Sequence, residues 1–206
     1  MTSPTLTQRW SLPASALLLV LFGYFLHPHK ILSLVCLGAS LFLVSNWMWK
    51  APVETVYRTL ALTKSPVNLT ATGALLGPAT AMLLRWFQNR TLHPNPLRPF
   101  LLVSMSIGLA EEFVFRGYFL GRLRERLQPW AAVLASSLLH TAYKTAIFVP
   151  SSGLNELAFL AGLTFAFGLL LGYWRVKAGS IWPCALFHAL FDLWTYGDRT
   201  TPWWVW

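Results

Sequence analysis

Seven long apolar runs, each near the ~20 residues that a helix needs to cross a bilayer, leave this chain few ways to fold. Inside hydrocarbon every backbone N–H and C=O must be satisfied within the protein, so only helices and closed barrels can span it. The runs lie at roughly 12–27, 31–49, 67–87, 99–120, 129–149, 156–174 and 180–197. They are too long and too uniformly apolar for barrel strands, which alternate in polarity over about ten residues. The expected fold is all-α: a polytopic transmembrane helical bundle of about seven or eight spans. It forms a single integral membrane domain over 1–206, with 1–98 holding the N-terminal spans. The segment 51–65 (APVETVYRTLALTKS) is shorter and carries Glu54, Arg58 and Lys64, which suits an amphipathic helix lying at the interface. Composition agrees, since 55% hydrophobic and only 11% charged residues exclude an ordinary soluble domain.

Charge supplies an orientation, because short cytoplasmic loops collect Lys and Arg. With the N-terminus inside, the cytoplasmic set is Arg9, Lys50, Arg58, Lys64, Arg122, Arg124, Arg126, Arg175 and Lys177. The outer set is Lys30, Arg85, Arg90, Arg98 and Arg199. This favours a cytoplasmic N-terminus in a plasma or inner membrane, against the pull of the 85–98 loop. The formal charge of +9 then reflects topology and contact with an anionic lipid bilayer. The basic residues are scattered and not interleaved with aromatics, so no nucleic-acid partner is expected. The small-residue pattern Pro13-Ala-Ser-Ala16 precedes the apolar part of the first run, so that run is expected to stay as a helix. Cys36 and Cys184 lie inside apolar runs without paired spacing and read as buried small residues. The tryptophans, including Trp47, Trp49, Trp86, Trp130, Trp174, Trp182 and the tail Trp203, Trp204 and Trp206, mark an interfacial belt.

Against that background stands AEEFVFRGYFL, residues 110–120. The chain has 7 acidic residues in all, and two of them are adjacent here, inside an apolar run. Ionisable groups at membrane depth are costly and mark functional sites. Those within the spans are Glu111, Glu112, Arg116, His140, Lys144, His188 and Asp192. Glu112 and Arg116 are i and i+4 and can pair on one helix face, whereas Glu111 is turned about 100° away with its carboxylate left for another task. His188 and Asp192 repeat the i, i+4 spacing. A carboxylate and two histidines on three helices have the makings of water-activated hydrolysis: a general base, a partner sharing the water, and a donor to the developing oxyanion.

These residues carry a resemblance. The chain reads Glu111-Glu112-Phe-Val-Phe-Arg116, then Ser136-Ser-Leu-Leu-His140, then His188-Ala-Leu-Phe-Asp192. It resembles the CaaX protease and bacteriocin-processing family of glutamic intramembrane proteases, which includes the CaaX prenyl endopeptidase of eukaryotes. Its motifs are Glu-Glu-x-x-x-Arg, Phe-x-x-x-His and His-x-x-x-Asn or His-x-x-x-Asp, in that order. The likeness covers about 99–197, which then forms the protease core. The resemblance implies an intramembrane endopeptidase without a cofactor. In it Glu111 and His140 activate water, Glu112 and Arg116 hold the site together, and His188 and Asp192 stabilise the oxyanion. The implied partner is a membrane-anchored protein or peptide cut at a C-terminal sorting helix, a leader or a CaaX-like tail. Two departures stand out: Ser136 replaces Phe, and Asp192 puts a carboxyl where a charge would repel an oxyanion unless it is protonated or turned toward His188.

Other readings of the same residues stay open. The Glu112–Arg116 pair can be a structural bridge, and His140 a core hydrogen-bonder, in a non-catalytic scaffold or immunity-type protein. Two histidines and a glutamate can hold catalytic zinc, although no His-Glu-x-x-His helix is present. A transporter would want Gly/Pro-broken helices in two matching halves, which are not apparent. Lys144 can snorkel, pair or enter the site. His27, His29 and His93 sit beside prolines in loops, with no chemistry assigned. The C-terminus TPWWVW has no cysteine four from the end and is not itself a prenylation signal.

Overall fold

The computed structural model describes residues 6–64 and 66–200, with side chains from Trp10 onward. The whole C-terminal sequence TPWWVW with its tail tryptophans, the side chain of Arg9 and the end of segment 51–65 at Ser65 lie outside the described residues. In chain order the helices are α1 (Leu6–Phe25), α2 (Lys30–Lys50), α3 (Val53–Leu60), α4 (Val67–Phe87) and α5 (Phe100–Glu112). A π-helical turn (Phe113–Phe119) and α6 (Leu120–Leu123) follow, then α7 (Pro129–Phe148), α8 (Leu154–Ala178) and α9 (Trp182–Tyr196). No strand occurs among the described residues.

Every apolar run becomes helix, and α2, α4 and α8 are long and apolar enough to cross a membrane. The other runs miss that standard for separate physical reasons. In the fourth run the α-helix gives way to the π turn after Glu112, although the helical backbone continues to Leu123. The seventh yields 15 residues, about 22 Å of rise against a ~30 Å hydrocarbon core. The fifth carries Ser136, Ser137, His140, Thr141, Lys144 and Thr145, which lower its hydropathy. The interfacial helix expected over 51–65 is confined to Val53–Leu60, ending where Ala61 takes a left-handed φ of 55°. Trp10, Trp49, Trp86 and Trp130 are exposed at helix ends, as a belt requires, whereas Trp174 and Trp182 are half-buried.

The chain divides into two compact units. Among the described residues one covers 6–59 and adds Arg122–Leu170; the other is Leu60–Gly121 with residues 171–200. In the first, α1 packs on α2 and α7, and serines link α1 to α2: Ser33 Oγ donates to the Phe22 carbonyl at 2.9 Å and Ser40 Oγ to that of Ser15 at 3.1 Å. Small and hydroxyl residues are how helices approach closely when lipid is as apolar as any side chain. Cys36, in this unit, and Cys184, in the second, are free and buried.

In the second unit α9 packs against both α4 and α5. The α4 face toward α9 is the four-residue series Gly73, Gly77, Ala81 and Arg85, all buried. A methyl group on Gly73 would overlap the Pro183 carbonyl, and one on Gly77 that of Phe187. Gly77→Val is therefore expected to cost about 3 kcal/mol through overpacking. For a chain of this size that is roughly 6–12 °C in thermal unfolding, measured in detergent.

At the far end of this face Arg85, fully buried, spends its guanidinium on the end of α9 and the loop before α5. Its Nη1 donates to the Trp194 and Thr195 carbonyls at 3.3 and 3.2 Å, satisfying groups a helix C-terminus leaves open. Its Nε donates to Thr91 O at 2.6 Å and its Nη2 to Asp198 Oδ2 at 2.7 Å, while Arg90 Nη2 takes the other oxygen at 2.7 Å. The Arg85 hydrogen bond, aided by the Arg90 charge, holds the Asp198 carboxyl below its ordinary value of 3.8. A depressed carboxylate contributes stability that is complete above its unfolded value and is lost as pH falls through the folded one. Melting temperature is accordingly expected to drop as pH falls to about 4 and below, and Asp198→Asn to start lower at pH 7 and follow a flatter acid limb.

Candidate active site

The site residues of the second unit sit on the contact of α5 with α9. The helices run antiparallel along a four-residue series on α5. Ser104 Oγ, which donates to Leu101 O at 3.0 Å, reaches the Asp192 carbonyl at 3.3 Å. Gly108 lies against Asp192 and His188, and Glu112 meets the His188 ring. This register brings Glu111, Glu112, Arg116, His188 and Asp192 together.

Glu112 is the hub. It is completely buried, and its Oε1 lies 3.0 Å from Arg116 Nη1 and 2.8 Å from His188 Nδ1. The i, i+4 ion pair is the one its spacing implies; the bond to His188 is not legible from spacing, because it joins residues 76 apart in the chain. A carboxylate paired with guanidinium can only accept, so the network assigns the proton to His188 Nδ1. The other nitrogen, Nε2, then faces two more carboxylates: Asp192 Oδ2 at 3.6 Å and Glu111 Oε2 at 3.8 Å. These gaps exceed a direct hydrogen bond. Glu111 and Asp192 are themselves buried, at 5% and 4% exposure.

Arg116 lies in the π turn, where the Leu120 N–H reaches back five residues to the Phe115 carbonyl. Its own carbonyl accepts from Arg175 Nε at 3.2 Å, and both arginines are buried. Such wide turns gather at functional sites. Apolar letters alone do not announce one; the only local sign is Gly117, where a methyl would press on Ile181 and Leu60 side chains at 3.1 and 3.2 Å.

His140 belongs to the first unit. It sits on the buried row of α7 with Ser136, Ser137 and Tyr143, 3% exposed, its ring stacked on Tyr143 at 6.4 Å between centroids. Beneath it Ser137 Oγ donates to the Val133 carbonyl at 2.7 Å. Lys144, the next residue after Tyr143, is half-buried. Among the described residues no cluster of three or more His, Cys, Asp or Glu is arranged to hold a metal ion.

No curated protein and no solved structure matches the chain. A family model does: that of the Rce1-like type II CAAX prenyl endopeptidases, over residues 93–194. The matched stretch contains Glu111, Glu112, Arg116, His140, His188 and Asp192. Over residues 93–194 the chain belongs to the Rce1-like family of CAAX prenyl endopeptidases, integral membrane proteases.

Proposed function

We propose that the chain is a glutamic-type intramembrane endopeptidase that hydrolyses a peptide bond in a membrane-anchored protein or peptide, at a C-terminal sorting helix, a leader or a CaaX-like tail. The observation that carries this reading is His188: Nδ1 bound to Glu112 at 2.8 Å, with Nε2 turned toward Glu111 and Asp192. Glu111 takes a proton from water as the water oxygen attacks the scissile carbonyl carbon. The C–N bond of the tetrahedral intermediate then breaks, and Glu111 returns the proton to the leaving amine. The Glu112–Arg116 pair holds the ring so that Nε2 serves the reaction. Nε2 donates to the oxyanion only in the imidazolium form, which the Asp192 carboxylate would balance with negative charge. By family resemblance His140 shares the water with Glu111. The bundle crosses seven or eight times, with its N-terminus in the cytoplasm of a plasma or inner membrane.

The test compares membranes containing the wild-type chain with membranes containing His140→Gln or His188→Gln, mapping new protein termini by mass spectrometry. Paired termini within or beside a membrane anchor, made by the wild type alone and unaffected by a strong chelator, are the expected result. Cleavage stopped by the chelator would replace the glutamate mechanism with zinc. Identical termini in all membranes would leave a scaffold protein.

A further inference from the structure

We propose that Gly108 is a positioning residue: its missing side chain is the seat of the Asp192 carboxyl and sets where that group stands relative to His188. This rests on the peptidase reading. A Cβ built on Gly108 would lie 2.9 Å from Asp192 Oδ2, closer than packed atoms tolerate, and 3.0 Å from the His188 carbonyl oxygen. The oxygen it would meet is the same one that stands 3.6 Å from His188 Nε2. Gly108 is one turn before Glu111 and Glu112 on α5, so the helix that offers both glutamates also leaves the gap.

The Asp192 carboxyl has little freedom to avoid an added methyl. Asp192 is 4% exposed, and its backbone carbonyl is approached by Ser104. The other charged groups around the His188 ring, Glu111 and Glu112 with Arg116 behind Glu112, are on α5 and its continuation, whereas the three atoms nearest a methyl at 108 belong to Asp192 and His188. The added group therefore meets one side chain of the cluster, the Asp192 carboxyl, together with the His188 backbone. Close helix approach alone would also call for glycine here, through the His188 carbonyl, and the two explanations differ in how they couple to residue 192.

A double-mutant cycle separates them. Turnover and melting temperature are measured for the wild type, Gly108→Ala, Asp192→Ala and the double variant, purified into lipid vesicles. Gly108→Ala is expected to lower kcat about 10–100-fold with KM within about twofold, as for a misplaced group that acts only in the transition state. In the Asp192→Ala background the same change is expected to cost less than about twofold, because the carboxyl it displaces is gone. Equal losses in both backgrounds would overturn the proposal and leave Gly108 a helix-spacing residue. If Gly108→Ala alone fails to accumulate, the double variant is expected to accumulate; its failure would overturn the proposal as well. The histidine side-chain 15N resonances of each variant, with His188 assigned through His188→Gln, give a readout independent of cleavage. Gly108→Ala is expected to move the Nε2 signal only when Asp192 is present. A signal moved by Gly108→Ala, found together with a wild-type chain that cleaves nothing, would sink the peptidase reading while leaving the positioning intact.

Discussion

Glu112→Ala is expected to destabilise the chain by about 3–5 kcal/mol, the usual result of removing one partner from a buried ion pair. The Arg116 guanidinium, 1% exposed, would keep its charge without the carboxylate 3.0 Å away, and His188 would lose its partner at 2.8 Å. For a chain of this length the loss corresponds to roughly 6–20 °C in melting temperature. Glu112→Gln keeps an oxygen for the His188 N–H but gives up the charge that balances Arg116, and should fall between wild type and Glu112→Ala. Thermal unfolding in detergent checks the order, and a Glu112→Ala chain that melts with the wild type would show that the ion pair contributes nothing.

The neighbouring glutamate is expected to behave in the opposite way. Glu111 lies 3.8 Å from His188 Nε2, so Glu111→Gln keeps the volume and breaks no short bond to the ring while abolishing the base. Cleavage should fall on the order of 10³-fold, within the range that a positioned general base contributes. Melting temperature should stay within about 2 °C. These outcomes would give two adjacent residues of one type separable roles, one in holding the fold and the other in the chemistry. Processing in the native host, with chain levels checked by blot, reads both effects.

Much of this is legible in the sequence. Apolar length places the helices, since the cost of bare backbone in lipid leaves no competing structure. The Glu112–Arg116 pair follows from i, i+4 spacing, and so does the placing of His188 and Asp192 on one face. The Glu112–His188 bond does not follow, because it depends on the register of α5 against α9, where Gly108 lies close to the His188 carbonyl. The π turn at Phe113–Phe119 is hidden too: FVFRGYF reads as ordinary apolar helix. The start of α1 at Leu6 escapes a reading based on apolar runs, because polar residues such as Thr7, Gln8 and Arg9 continue the helix past the apolar run.

The central claim, that Glu111 activates the attacking water, is tested most directly with a membrane-anchored reporter carrying a mapped cleavage segment. The purified wild type and Glu111→Gln are placed in the same lipid vesicles at equal concentration with a strong metal chelator present, and product is quantified by mass spectrometry over time. The expected result is steady cleavage by the wild type and about a thousandth of that rate, or less, from Glu111→Gln at an unchanged melting temperature. Cleavage by folded Glu111→Gln at the wild-type rate would contradict the account and move the base to another residue.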